Sequence, residues 1–284
     1  MRELWVPLSG AIANQRQIDV VSNNIANINT AGFKKDNLTF KEHLTALDKG
    51  HTDIDLPNKE WRPEDFYRSY GAEHSFVQAD ATYSDFSQGR LAPTGNNFDL
   101  AIQGQGFFEI LTPNGIRYTR NGTLGIDRGG NLVTSNGFPV LSKLLPKEKK
   151  EIENNSNTNL PEAPVPPPQS RVISVGGSAF TVANDGRVYI DNKNIAELSL
   201  VEFKDVNALT KEGSVLFINK DEGNILKTTP KSSVNQGFIE ESNVNSIVEM
   251  TNLIKANRNF ESIQKVIKTY DQMAGQTVNE ITKF

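Results

Sequence analysis

Gly104-Gln105-Gly106 is the nearest approach in this chain to a loop that could cradle a phosphate. A dinucleotide fingerprint needs a third glycine and a helix opening directly behind it. Neither is present here, so the pair of glycines predicts a tight turn or a bulge within a strand. The three histidines, His43, His51 and His74, are scattered along one polar stretch and have no metal-ligand spacing. They are expected on the surface. The sequence holds no Gly-x-Ser-x-Gly elbow, no HExxH, no P-loop and no cysteine. Glu240-Glu241 precedes a helical pattern, where the positive end of the helix dipole accounts for carboxylates. Asn-x-Ser/Thr triplets at Asn37, Asn121 and Asn154 are a pattern common by chance. No acid, base and nucleophile converge, so the chain is expected to be no enzyme, to hold no metal and to need no cofactor.

Asparagine is the residue whose spacing has more to say. Asn14, Asn23, Asn24, Asn27 and Asn29 cluster near the start, and Asn245, Asn252, Asn257 and Asn259 near the end. A solvated helix face would explain them. Amides that hydrogen-bond neighbouring subunits in a packed helical layer explain them slightly better, because buried amides at such seams fix register at a cost in stability.

The elements that carry these asparagines are two striped helices. Near the end, Leu253, Phe260, Ile267, Ala274 and Ile281 repeat every seven residues, and Ala256, Ile263, Tyr270 and Thr277 lie three residues behind. Alternating steps of three and four make a narrow stripe on one side of a helix. The start shows a weaker version in Leu4, Leu8, Ala11, Ile18, Ser22 and Ile25. The first helix is expected over residues 3–28, with Pro7 tolerated early because the first amides lack helical partners. It should stop at NINTAGF, where Gly32 is the natural breaker. Ser242 or Asn243 is expected to cap the last helix, with Val244, Ile247, Met250 and Ile254 opening its apolar face. A single helix over 243–281 would be about 58 Å long, and a helix of that length outside a core needs partner helices.

Between them lies a different composition. Residues 34–75 predict an extended connector in which FKEHLTAL prolongs a helix briefly. Residues 76–236 predict a β-rich domain: short apolar runs separated by turns such as Asn114-Gly115, Asn121-Gly122, Asn136-Gly137, Asp185-Gly186 and Asp191-Asn192. A hairpin meander, a small barrel or a sandwich would fit that spacing. Residues 146–170, rich in charge, Asn and Pro, predict a disordered surface loop. Pro230 to Gly237 predict a linker. The expected fold is α+β: terminal helices in 1–33 and 237–284 pairing as a coiled coil, and a β-rich centre. Apolar residues are 37% of the chain and net charge is −4. That balance gives no reason to expect nucleic acid binding, and no apolar run is long enough to span a bilayer. The start lacks a secretory signal pattern, so a cytoplasmic protein is expected, or one exported without a cleaved signal.

VVSNNIANINTAGFKK resembles the N-terminal signature of flagellar rod and hook proteins. GFIEESNVNSIVEMTNLIKANRNFESIQKVI resembles the same family's C-terminal signature, and FSQGRLAPTGNNFDLAIQGQGFFEI and RYTRNGTLGIDRGGNLVTSNGFPVL are similar to its rod members. The segment before FSQGRL looks more like proximal than distal rod proteins. The resemblance implies a structural subunit exported by the flagellar type III apparatus, which explains the missing signal. It implies terminal helices that form an inner layer and order on assembly, and a periplasmic tube that carries torque to the hook. Copies of itself and other axial proteins are the implied partners, with no membrane insertion, nucleic acid or small-molecule substrate. The expected assembly surface is Leu4, Leu8, Ala11, Ile18 and Ile25 with Leu253, Phe260, Ile263, Ile267 and Tyr270. Asn24, Asn27, Gly32, Phe33, Ser242, Asn243 and Arg258 match signature positions. The rival expectations are a ligand-binding module with helices packed on its β-domain and, far behind, an enzyme.

Overall fold

The computed structural model describes residues 5–45, 74–143, 168–176, 179–226 and 231–281. It is mixed α+β, with a helix near each end and short strands between them. The chain divides into two compact units: Met1–Ile25, Asp36–Tyr83 and Ser246–Phe284 form one, Ala26–Lys35 and Ser84–Asn245 the other.

In the first unit, helix α1 spans Trp5–Ala26. Strand β1 (Asp36–Thr45) pairs with β2 (His74–Ser84) in a two-stranded ribbon. Thr39 fastens this ribbon: its hydroxyl donates to the Ala81 carbonyl at 2.9 Å and accepts from the Ala81 amide at 3.3 Å. The brief helix expected at FKEHLTAL is therefore wrong up to Thr45. Leu38 and Phe40 alternate with Thr39 and Lys41 on the pleat, and strand pairing overrides a weak local helix preference. The rest of the expected connector, 46–73, lies outside the described residues. The final helix, α2, spans Ser246–Ile281, 36 residues, or about 54 Å at 1.5 Å per residue.

The second unit is built of short antiparallel strands. In chain order they are β3 (Leu91–Pro93), β4 (Leu100–Gln103), β5 (Phe107–Thr112), β6 (Gly115–Thr119), β7 (Leu124–Ile126), β8 (Leu132–Thr134), β9 (Phe180–Val182), β10 (Arg187–Ile190), β11 (Lys193–Glu197), β12 (Leu200–Val201), β13 (Thr210–Glu212), β14 (Leu216–Ile218), β15 (Ser233–Gln236) and β16 (Phe238–Glu240). The expected hairpins β5–β6, β7–β8 and β10–β11 form. Asp191 and Asn192 turn the last of these with φ of 48° and 66°, the left-handed values that a two-residue hairpin requires. The largest sheet has the order β12-β5-β6-β14-β13.

Two returns from the far end of the chain complete the unit: β15 pairs with β4 and β16 with β3. The linker expected at 230–237 is thus strand β15 over Ser233–Gln236. Leu100, Ile102, Phe108, Ile110, Leu132 and Val188 fill one core. Phe107, Tyr118, Phe203 and Phe217 fill a second, with rings in edge and tilted contacts at 4.9–5.8 Å and Phe86 against them. Of the loop expected at 146–170, residues 146–167 lie outside the described residues. Its last residues enter a 3-10 turn, Pro168–Arg171. Arg171 anchors that turn through a bidentate pair with the Glu109 carboxylate, which also accepts from the Ser199 hydroxyl at 2.6 Å.

Candidate assembly surface and its anchoring residues

Within the first unit, two contacts fix the direction in which α1 and α2 run past each other. The Asn24 amide reaches the Glu249 carboxylate at 3.5 Å, and a Cβ built on Gly10 would lie 3.8 Å from Ile263 Cδ1. Going up α1 from Gly10 to Asn24 corresponds to going down α2 from Ile263 to Glu249, so the two helices run antiparallel. Asn24 is buried and also closes a two-way bond with the start of β1, donating to the Asp36 carbonyl at 2.8 Å and accepting its amide at 3.0 Å. Within the chain this amide is bonded through both its nitrogen and its oxygen.

The heptad stripe faces inward. Ala256 is buried, and Leu253, Phe260, Ile263 and Ile267 are half-buried. On α1, Ala11, Ala13 and Val21 are buried and Ile18 and Ile25 half-buried. A groove of about 380 Å³ runs between the helices and the ribbon, lined by Gly10, Ala13, Asn14, Gln17, Phe40, Val77, Asn259, Ser262 and Ile263. Other expected residues point elsewhere. Leu8 is 42% exposed and Tyr270 37%, Arg258 is exposed, and Leu4 lies outside the described residues. The row Ile247, Met250 and Ile254, expected to open the apolar face of α2, is exposed in the chain, Ile247 at 76%. On α1, Val6, Leu8 and Ile12 are also exposed.

The remaining signature residues do their work inside the second unit. Gly32 has φ of +70°, and a Cβ there would sit 2.3 Å from the Asn121 nitrogen, so only glycine fits. Its amide donates to the Glu240 carbonyl at 2.8 Å. Phe33 is fully buried with Val215 and Val244, and the Lys211 ammonium lies 3.9 Å above its ring. Lys34 is buried and donates to the Glu240 carboxylate and to the Ser87 carbonyl, each at 2.7 Å. Glu240 accepts further from the Gly89 amide at 2.9 Å and from Arg120 at 3.4 Å. Ser242 accepts from the Val244 amide at 3.3 Å, and Asn27 is half-buried. Asn243 does not cap α2, which starts at Ser246. Its carbonyl oxygen accepts the Lys35 amide at 2.8 Å, and its amide donates to Asp85 and Ser87.

Two cations around one carboxylate leave this cluster short of negative charge. Burial pulls the Lys34 ammonium below its usual pKa, and Glu240 opposes that only in part. Burial lowers Arg120 for the same reason, and its guanidinium also rests 4.8 Å over the Phe107 ring. Spacing alone does not single out Lys34, Arg120 or Glu240. The available signal is a base directly after Gly32-Phe33 and an acid directly after Gly237-Phe238-Ile239, two glycine–aromatic motifs far apart in the chain. The helix dipole does not account for Glu240, which lies in strand β16.

The Gly-Gln-Gly pair also has a packing cause. A Cβ on Gly104 would come 2.7 Å from the Ser232 hydroxyl, and one on Gly106 3.0 Å. The Gly106 amide donates to that hydroxyl at 2.8 Å, and the hydroxyl donates to Glu202 at 2.6 Å. The glycines let the chain at Ser232, just before β15, approach closely.

Comparison with known proteins matches the same stretches to subunits of a bacterial axial structure. Residues 6–34 match the family model described as flagella basal body rod protein, 101–190 the flagellar hook protein FlgE/F/G D1 domain, and 235–280 the flagellar basal body rod FlgEFG protein C-terminal. The flagellar basal-body rod protein FlgG of Buchnera aphidicola subsp. Schizaphis graminum is 31% identical over 280 residues, covering 95% of this chain and 96% of that one. FlgG of Bacillus subtilis is 30% identical, covering 98% of both. FlgF of Caulobacter vibrioides is 29% identical, covering 99% and 98%. The chain belongs to the flagellar basal-body rod proteins, in the FlgF/FlgG group. It is a structural subunit of the rod.

Proposed function

We propose that this subunit assembles through its terminal helices. The helices pair as a coiled coil on the inward stripe and present their exposed apolar rows to neighbouring copies and to other axial proteins. The observation that carries the reading is the exposure of Val6, Leu8, Ile12, Met250 and Ile254 on the two elements that the family signatures share. Each subunit then meets its neighbours by heterologous contacts that build an open helical tube. In this reading the protein is structural rather than catalytic, leaves the cytoplasm through the flagellar type III apparatus and stands in the periplasmic part of the rod. The assembly set is Leu4, Leu8, Ala11, Ile18 and Ile25 with Leu253, Arg258, Phe260, Ile263, Ile267 and Tyr270. Asn24, Asn27, Gly32, Phe33, Ser242 and Asn243 belong to the same proposed set.

The segment before FSQGRL favours a proximal position. The slightly higher identity to FlgG than to FlgF favours a distal one. Electron cryotomography of basal bodies from a strain lacking the gene separates the two. A short stub without a hook is expected for a proximal subunit and a longer stub for a distal one, whereas an intact rod and hook would end the rod reading. Phe260→Asp, which sets a charge into the stripe, is expected to abolish incorporation while the β-rich unit stays folded. Normal rods in that strain would refute the need for the paired terminal helices in assembly.

A further inference from the structure

The chain passes between its two compact units at four points: 25/26, 35/36, 83/84 and 245/246. One side chain, beside the last of them, touches the backbone beside two others. Asn243, two residues before the last crossing, accepts the amide of Lys35, the final residue before the second. Its own amide donates to the Asp85 carbonyl at 2.8 Å, one residue beyond the third crossing, and to the Ser87 carbonyl and hydroxyl at 3.2 and 3.0 Å. The Asp85 amide closes the ring by donating to the Lys35 carbonyl at 2.7 Å. Beneath this knot lie the buried Lys34–Glu240 pair and the Glu240 carbonyl that takes the Gly32 amide. Hydrogen bonds are directional where apolar packing is not. A knot of this kind therefore fixes where the chain leaves the unit, which core residues such as Phe108 or Phe217 do not do.

We propose that Asn243 is a positioning residue: it sets the mutual spacing at which β1, β2 and α2 leave the β-rich unit, and the subunit needs that spacing to assemble. The inference rests on assembly through the terminal helices. Asparagine suits the position because only an amide offers both an acceptor for the Lys35 amide and donors for two carbonyls. Asn243→Ala removes all of these bonds. Asn243→Asp keeps the acceptor but turns a carboxylate oxygen toward the Asp85 and Ser87 carbonyls.

The test uses full-length protein and strains carrying each variant in place of the native gene. Hydrogen exchange is expected to rise at least ~10-fold at the Asp85 amide in both variants, while the amides of Phe108, Ile110 and Phe217 keep their protection. Basal bodies bearing hooks are expected to become rare, with swimming lost in proportion. Native-level swimming by either variant overturns the proposal, whatever the exchange shows. Loss of protection throughout the β-rich unit in both variants also overturns it, because Asn243 would then serve the fold and not the spacing. The rod reading is checked separately by the strain lacking the gene, so its failure is distinguishable from that of Asn243.

Discussion

Lys34 is a buried cation whose nearest carboxylate is shared with a second buried cation. Removing one partner of such a pair strands the other, at a cost of about 3–5 kcal/mol. Lys34→Met is therefore expected to lower unfolding stability by about 3 kcal/mol, read from the urea midpoint. It leaves Glu240 held only by the Gly89 amide and the longer Arg120 contact. A shift of a few tenths would mean Arg120 alone neutralises Glu240.

Tyr118 is pushed up to about 12, first by burial and then by Glu109. Its folded pKa lies above the unfolded value near 10. Its contribution to stability is thus complete below about pH 10 and is lost as pH rises toward 12. In a spectrophotometric titration one tyrosine should ionise at about 12, and Tyr118→Phe should remove that step. Neither group is visible from spacing. A buried charge looks like a surface charge in sequence until the strands that surround it are placed.

At the level of elements, the two helices and most of the hairpins are legible because their signals are local: a 3.6-residue stripe, or an Asn-Gly or Asp-Asn turn. What escapes is non-local. β15 reads as linker in sequence because Ser-Val-Asn-Gln carries little apolar pattern. It is a strand because Val234 faces Ile102 across the β4 ladder and is fully buried. β1 escapes for the same reason. Glycines make the distinction testable. Gly10 lies on α1, and an added Cβ meets Ile263 at an ordinary 3.8 Å. Gly10→Ala is therefore expected to stabilise α1 by up to about 1 kcal/mol through helix propensity. Gly122 lies against the start of β4, and a Cβ there would sit 1.6 Å from the Leu100 carbonyl oxygen. Gly122→Ala is expected to cost at least about 3 kcal/mol. Thermal melts of the two variants should move in opposite directions. If both moved down alike, Gly10 would lie under tighter packing than its 3.8 Å clearance implies.

For the whole molecule, the ends and the middle are held by different means. The β-rich unit has two aromatic and aliphatic cores and a buried charge cluster. The helices have one inward stripe, and on α2 that stripe thins out: Glu249 and Ala256 are buried, Phe260, Ile263 and Ile267 half-buried, and residues 268–273 exposed. A helix of 36 residues is long, yet propensity alone stabilises an exposed segment only marginally in water. The distal turns of α2 therefore draw their order from whatever packs against them. In the purified subunit, amides of 268–273 are expected to exchange at least ~10-fold faster than those of 253–263. If the subunit assembles through its terminal helices, the two stretches should be protected alike in assembled rods, the ordering entropy being met at the point of addition. Equal protection in the subunit alone would mean that α2 is finished before assembly. The rod would then grow by docking rigid helices, and the exposed row of Met250 and Ile254 would carry the interface without any folding step.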